Sequence, residues 1–457
     1  MEQSGFVVSI DIGTSKMVGL MGRKNEQGVI TILASESIPS DNCVKYGVVY
    51  NIDETAGKIK KLINLLENKS GRRIGKVYVS VNGKSLRAIE YTLTRDIGFE
   101  AEVTFNIIDR MEQQARLNKP EFLMNYSVVA PEIYLDGNHE EDYLGKTAST
   151  IEGRYRLIVG RPNIKYNLVK TITDKNQLDI AGYIVGPLAT AAIVLDDADK
   201  QAGCALVDFG AGTTTLSIYK DGLLRYMVVI PFGGRTITKD IKELGFVETA
   251  AESYKIKYGK VGKDKNKDTS KNSEVDVREL NKIIQLRVEE IVMNVLNQIK
   301  ESGYSGLLDA GIIMVGGASQ LAGLEQFVEE KAQMPVKKGS AQRLYINNVS
   351  ELLLNPSYTQ CLGLLLFANE NCEKPEQQPV QPANTYIDNQ TISSPSSQEI
   401  AAEDEEEDEE VKKEEQKIKK EAIKEIREVK TPPRPKKTNN IFNKIRNFGG
   451  TLFDDED

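Results

Sequence analysis

Apolar residues recur along this chain with two periods. Short β-branched runs, FVVSIDIG (6–13) and CALVDFG (204–210), read as buried strands, and each leads through small hydroxyl residues into a second apolar run, TSKMVGLMG (14–22) and AGTTTLSIYKDG (211–222). The pattern is a β-hairpin with a glycine-rich turn, met twice and roughly 200 residues apart. Apolar positions three and four apart mark helices at ETAGKIKKLINLLEN (54–68) and IIQLRVEEIVMNVLNQIKES (283–302). Together these predict an internally duplicated α/β body. Between residues 84 and 163 the texture changes: VTFNIIDRMEQQARL (103–117) reads as one helix, flanked by strand-like YSVVAPEIYL (126–135) and YRLIVG (155–160), a compact inserted subdomain.

The turns carry the candidate chemistry. DIGTSK places Asp11 at a strand end, followed by Gly13, Thr14, Ser15 and Lys16; DFGAGTTT repeats the device with Asp208, Gly210, Gly212, Thr213 and Thr214. Successive N–H groups in such a turn form a concave donor nest for phosphate, with hydroxyls and a lysine adding donors and charge. One carboxylate from each hairpin, Asp11 and Asp208, would hold Mg²⁺ through its waters. GIIMVGGASQLAGL (311–324) reads as a strand, then a turn with Gly316, Gly317 and Ser319, then a helix beginning near Gln320, so that a ligand could come close to a helix N-terminus. In IPFGGRTITKDI (230–241) Gly234 precedes a helix, and Glu252 and Lys255 lie three apart on one face of the next, an exposed ion pair or a polar contact to a ribose or base.

Composition narrows the function. The 457 residues carry 59 Lys+Arg, 67 Asp+Glu, four Cys, one His and no Trp. Residues 371–457 hold 14 Lys+Arg against 21 Asp+Glu, which leaves 45 against 46 for the rest, so the acidity belongs to the tail and the body has no electrostatic footprint for nucleic acid. Unpaired cysteine spacings exclude Cys/His zinc sites, and His139, whose neighbours read as an exposed loop, is a poor triad member. With no signal-like start and no apolar run long enough to span a bilayer, the expectation is a protein kept in a reducing cytoplasm. The Pro-, Gln- and Ser-rich stretch after residue 370 reads as disordered linker, EDEEEDEE (403–410) as a solvated spacer, and GKVGKDKNKDTSKNSEVD (259–276) as a flexible loop. At the far end, winding TNNIFNKIRNFGGTLF (438–453) as a helix gathers Ile441, Phe442, Ile445, Phe448, Leu452 and Phe453 within an arc of about 140°, with Lys444 opposite and Arg446 at the edge. Such a tip suits an anionic bilayer interface, or docking on a protein.

The order and spacing of the four glycine clusters resemble the actin, Hsp70 and sugar-kinase superfamily of ATP-binding proteins, and within it most closely the FtsA family of bacterial cell division, over residues 6–369. AGYIVGPLATA (181–191) and TQCLGLLL (359–366) resemble its two connecting helices. The resemblance implies an actin-like, duplicated ribonuclease-H-type α/β fold with an SHS2-like insert and a disordered tail ending in an amphipathic helix. It divides the chain into subdomain 1A (1–83 and 164–195), 1C (84–163), 2A (196–235 and 305–370), 2B (236–304), an acidic linker (371–436) and a membrane-targeting segment (437–457). It also implies ATP with Mg²⁺, self-polymerisation, FtsZ and later division proteins as partners, contact with FtsZ through 236–304, and a place on the cytoplasmic face of the inner membrane. One departure stands out: Thr215 occupies the position where the family's second phosphate motif often has an acid, which bears on hydrolysis more than on binding. A pilus-assembly relative, a sugar kinase and an Hsp70-like chaperone are the rivals. No substrate base marks the kinase, the tail is too poor in β-branched runs for a peptide-binding domain, and the amphipathic tip separates the division protein from the pilus relative.

Overall fold

The two Asp-Gly hairpins each open a five-stranded unit of the same topology in the computed structural model, which describes residues 5–262, 275–348 and 355–375. In the first unit β1 (Val7–Ile12), β2 (Lys16–Lys24) and β3 (Ile30–Pro39) run antiparallel in succession. A small hairpin, β4 (Val44–Lys45) and β5 (Val48–Val49), leads to α1 (Ile52–Ser70) and β6 (Lys76–Val81), parallel to β1. The insert comes next as β7 (Arg87–Glu102), α2 (Phe105–Leu117), β8 (Met124–Leu135), β9 (Asn138–Glu140) and β10 (Thr147–Gly160). Then α3 (Asn163–Val169) returns the chain to β11 (Asp179–Val185), parallel to β6, and on to α4 (Gly186–Val194) and α5 (Asp197–Ala202). The second unit repeats the scheme with β12 (Cys204–Phe209), β13 (Thr214–Lys220), β14 (Leu223–Ile230), α6 (Gly234–Lys242), α7 (Glu248–Tyr258), α8 (Val277–Glu301), β15 (Gly311–Val315), α9 (Leu324–Ala332) and β16 (Val336–Lys338). Short β17 (Ile346–Asn347) and α10 (Thr359–Phe367) complete the described chain.

Strand order is β3-β2-β1-β6-β11 in one sheet and β14-β13-β12-β15-β16 in the other, the same sequence of neighbours and directions. Residues of β1 and β12 are buried on both faces apart from the aspartates, which is why these strands read as apolar runs interrupted only by Ser9 and the aspartates themselves. The two long helices obey local rules. The Asn51 side chain accepts from the Glu54 N–H, Gly71 closes α1 at φ +71°, and Ile59, Leu62, Ile63 and Leu66 face the sheet. Asp276 caps α8, whose Leu280, Ile284, Val288, Ile291, Val295 and Ile299 form the buried stripe.

Edges are where the sheets depart from simple duplication. The insert interrupts the first unit between β6 and β11, yet β7 pairs with the free edge of β14 (Val228 with Arg87), so the insert extends the second sheet into nine strands. Covering β14 removes an exposed ladder edge, and the nearly buried Arg225 guanidinium on β14 pairs with Glu132 on β8 across the junction. Conversely β17, from the second half, lies parallel against β3 at the edge of the first sheet.

Two sequence expectations shift. AGYIV (181–185) is strand, since its β-branched residues lie beside β6, and the first connecting helix begins only at Gly186. His139 sits on the short, exposed strand β9 with its ring 5.3 Å from that of Tyr134, rather than in a loop. Residues 263–274 of the lysine-rich segment, 376–436 of the linker and the whole of the segment 437–457 lie outside the described residues.

Helices α4 and α10 are buried around most of their circumference and cross in contact. A Cβ on Gly363 would lie 2.0 Å from the Ala189 carbonyl oxygen, so the crossing needs a bare backbone there. Gly363→Ala gains up to about 1 kcal/mol of helix propensity, but must push a backbone aside in a close-packed core, which costs about 1–3 kcal/mol or more. The crowding should win, and a lowered thermal midpoint of the purified variant is the expected result.

Candidate nucleotide-binding site

The two hairpins are built to the same register. Asp11 pairs with Val18 and Asp208 with Thr215, both seven residues on; the Gly13 N–H donates to the Lys16 carbonyl at 3.1 Å and the Gly210 N–H to the Thr213 carbonyl at 3.0 Å. In both turns a Cβ on the glycine would stand 2.8 Å from that carbonyl oxygen, so both turns exclude any larger residue as they stand. The tips meet: a Cβ on Gly212 would be 2.6 Å from the Thr14 hydroxyl. Between them opens a cleft of about 580 Å³, of the size that holds small-molecule ligands.

Asp11, Gly13, Thr14, Ser15, Lys16, Asp208, Gly210, Gly212, Thr213, Gly234, Glu252, Lys255, Gly316 and Gly317 all line this cleft. Thr214 and Ser319 do not. Thr214 is buried on the other side of β13 and its hydroxyl donates to the Phe232 carbonyl, while the buried Ser319 hydroxyl donates to the Gly316 carbonyl. Thr215, its neighbour on the strand, faces the cleft instead, as alternation along a strand requires.

The carboxylates have unlike surroundings. Ser80 Oγ donates to Asp11 Oδ1 at 2.7 Å and Asn82 Nδ2 at 3.3 Å, and Gln360 Nε2 also donates to that oxygen. All three bonds fall on Oδ1, which leaves Oδ2 without a hydrogen bond among the described residues. Burial still holds the Asp11 carboxyl above its ordinary range, against the opposing effects of these donors and the Lys16 charge. The Asp208 side chain accepts no hydrogen bond among the described residues, and burial, then the neighbouring Asp11 charge, pushes its carboxyl up to about 7. Two acids facing one cleft, one with a free oxygen and one with no donor at all, fit a hydrated divalent cation.

Lys16 reaches across the base of the cleft. Its ammonium donates to Ser357 Oγ at 2.9 Å and lies 3.7 Å from the centroid of the Tyr358 ring. Gly316 turns with φ +87°, and a Cβ there would be 2.2 Å from Asp208 Oδ1, so the turn after β15 sits directly on the end of β12. Gly317–Gln320 then form a short 3-10 turn, and α9 starts only at Leu324, later than the helix start near Gln320 suggested by the pattern. The expected Glu252–Lys255 pair forms at 2.7 Å but is not an exposed one: Lys255 is largely buried and also donates to the Gly234 carbonyl and to Thr238 Oγ1, both at 2.9 Å. Burial lowers the Lys255 ammonium pKa.

Sequence reasoning missed Ser80, Asn82 and Gln360. A signal existed for the first two, because Ser-Val-Asn closes the apolar strand KVYVSV at its carboxyl end, where α/β folds place ligands. Gln360, the one amide side chain within the apolar helix α10, was similarly open to notice. Nothing in the local pattern pointed to Asn355 or Ser357.

Comparison with known proteins agrees with this architecture. The profile of the family described as "Cell division protein FtsA" matches residues 205–363. The cell division protein FtsA of Porphyromonas gingivalis is 32% identical over 325 residues, 68% of this chain and 68% of that one, and that of Neisseria meningitidis is 29% identical over 83% of this chain and 95% of its own length. Among solved structures, the PilM–PilN type IV pilus biogenesis complex superposes with a TM-score of 0.57 at 16% identity, covering 80% of this chain and 99% of that one, a likeness of fold. With its duplicated α/β units of actin-like type and a relative of this identity and extent, the chain belongs to the FtsA family of bacterial cell-division proteins.

Proposed function

We propose that this chain is an ATP-binding, membrane-tethered, actin-like cytoskeletal protein that anchors FtsZ filaments to the cytoplasmic face of the inner membrane at the division site and helps bring later division proteins there. The observation that carries the nucleotide part is the pair of hairpins of one register, each ending a strand in an aspartate, that open on a single cleft. Asp11 and Asp208 would orient the waters of Mg²⁺, and the cation, when bound, supplies positive charge against the phosphates. The turn amides, Thr14, Ser15, Thr213 and Lys16 receive phosphate oxygens, while Gly234, Glu252, Lys255, Gly316 and Gly317 border the adenosine. Lys255 is already held by three protein oxygens, so its part is to shape that wall rather than to offer a free ammonium.

Turnover in this reading is slow. The carboxylates lining the cleft are Asp11, Asp208 and Glu252; two are committed to the cation and the third to Thr238 and Lys255. Among the described residues that leaves no acid lining the cleft to activate a water, and Thr215, which lines it, holds the position where the family's second phosphate motif often has an acid. Nucleotide then acts as a switch that closes the cleft and favours the polymerising conformation. The four-part division of the body, with 84–163 as an SHS2-type subdomain and 236–304 as the FtsZ-facing one, belongs to the same reading, as does attachment through the amphipathic tip.

Electron microscopy of the full chain on an anionic lipid monolayer tests the parts together. Filaments on lipid with Mg²⁺ and ATP, and sparse or no filaments without nucleotide, are expected. Filaments indifferent to nucleotide would remove the switch, and filaments in solution that never attach to lipid would remove the tether.

A further inference from the structure

Residues 355–360 lead into and begin α10, and three of their side chains end on the first hairpin. Gln360, the second residue of α10, donates from Nε2 to Asp11 Oδ1 across 349 positions of sequence. Its carboxamide oxygen faces another element: a Cβ on Gly186, the first residue of α4, would lie 2.5 Å from Gln360 Oε1 and 2.2 Å from Asn82 Oδ1. The amide is thus wedged between the tip of β1 and the start of α4, and only a bare backbone at position 186 leaves room for it. Three residues earlier, Ser357 Oγ accepts from the Lys16 ammonium at 2.9 Å, and the ring of the buried Tyr358 lies 3.7 Å from the same ammonium. The segment is itself held. The Ser357 N–H donates to Asn355 Oδ1 at 3.0 Å, the Gly316 N–H to the Pro356 carbonyl at 3.2 Å, and the buried Ser9 hydroxyl to the Cys361 carbonyl at 3.0 Å. The last two bonds tie it to the turn after β15 and to β1, one in each sheet.

We infer that residues 357–360 are the positioning segment of the cleft: Gln360 fixes the Asp11 carboxylate by one oxygen so that the other meets the cation's waters, and Ser357 with Tyr358 aims the Lys16 ammonium at the phosphates. The inference rests on the nucleotide reading above and deepens it, since these three residues act through Asp11 and Lys16. The terminal torsion of an aspartate is broad, so a carboxylate with few donors samples orientations that a hydrated cation cannot use. Ser80 and Asn82 reach Asp11 from β6 and the residue after it, and Asn82 Nδ2 also donates to Ser80 Oγ at 3.1 Å. Gln360 comes from a different element, and its far end is blocked by Gly186, so the three donors together leave Oδ1 no freedom to exchange with Oδ2. Lys16 presents the same problem in another form, a point charge on a flexible four-carbon stem. Resting it on an aromatic face and one hydroxyl orders the stem before a ligand arrives. An ammonium has three N–H groups; Ser357 takes one, which leaves donors for phosphate oxygens. Support of this kind, from residues whose own orientation is fixed by packing and hydrogen bonds, is what a binding site needs to hold its groups in place.

Calorimetry of ATP binding to the full chain, with Mg²⁺ and with chelator, separates the two roles. Gln360→Met, which keeps the volume and removes the amide donor, should lose roughly 10–100-fold of the Mg²⁺-dependent affinity and far less with chelator. Gln360→Asn, one methylene shorter, should show the same split. Ser357→Ala combined with Tyr358→Leu should weaken ATP binding about fivefold with Mg²⁺ and with chelator alike, and Tyr358→Phe in place of Tyr358→Leu should recover part of that loss, because the ring is kept. Thermal melting without ligand reports whether each variant is folded. A segment of merely structural importance would give every variant the same loss in both conditions. That result would overturn the inference, as would a Gln360→Met protein that keeps the parent's Mg²⁺ response where Asp208→Ala has lost it, and either would leave the nucleotide reading intact. A parent chain whose ATP affinity ignores Mg²⁺ would instead remove that reading, and this inference with it.

Discussion

Asp208→Ala is expected to bind ATP with its Mg²⁺ dependence gone. Asp208 has no hydrogen-bond donor among the described residues and its charged form is opposed by burial and by Asp11, so a cation is what would make that charge favourable. Groups that orient metal-bound ligands typically contribute 10–100-fold in affinity, and a loss of that order in Mg²⁺-dependent ATP binding, measured by calorimetry with and without chelator, is the predicted size. The pH dependence has a defined sign. An acid raised to about 7 in the fold binds a proton there that the unfolded chain has already released above about 4. Without Mg²⁺ this contribution to stability is therefore full below pH 4, declines as pH rises from about 4 to 7, and is flat above. Mg²⁺-dependent ATP affinity runs the other way, rising with pH to a plateau above about 7, because the carboxyl must ionise to hold the cation's waters. Asp208→Asn should flatten both profiles. An Asp208→Ala protein with the Mg²⁺ response of the parent would show that the second hairpin does not face the cation.

Deleting residues 438–457 should abolish sedimentation with anionic vesicles. Wound as a helix, the tip would gather Ile441, Phe442, Ile445, Phe448, Leu452 and Phe453 on one face with Arg446 at its edge and Lys444 opposite, and Arg434, Lys436 and Lys437 come just before in sequence. Each cation near an anionic surface contributes about 1 kcal/mol, and burying an aromatic or aliphatic side chain about 1.5–3 kcal/mol, so about three buried apolar side chains together with the cations beside them account for micromolar binding, roughly 8 kcal/mol. Phe448→Glu should weaken pelleting at least tenfold while leaving nucleotide affinity unchanged. High salt should weaken but not eliminate attachment, since the apolar part is not screened. Undiminished pelleting of the truncated chain would move the lipid contact to another surface.

Local patterns carried a large part of this molecule. The repeated Asp-x-Gly hairpin was visible because two strands and their turn are contiguous, and the spacing that pairs Asp11 with Val18 repeats as Asp208 with Thr215. Helices α1 and α8 were visible for the same reason: cap, period and terminus all lie within one stretch of chain. The reading went astray where two local patterns abut, as at AGYIV-GPLATA, where a strand passes into a helix with no polar break.

Long-range encounters were beyond such patterns. The donors on Asp11 come from positions 69, 71 and 349 residues away in sequence, and no period in any one segment says that a strand end and a helix start will share an oxygen. Thr214 and Thr215 are chemically alike; only the pairing of β13 between β12 and β14 turned one to the Phe232 carbonyl and the other to the cleft. The edge that receives the insert is likewise a long-range match, since Arg87 on β7 pairs with Val228 on β14. Residue order along the chain was enough for the hairpins, the helices and the two acids, because those depend on neighbours a few residues apart. Which side chains face one another across the cleft depended on how two sheets came together, a matter of packing among residues that the sequence keeps hundreds of positions apart.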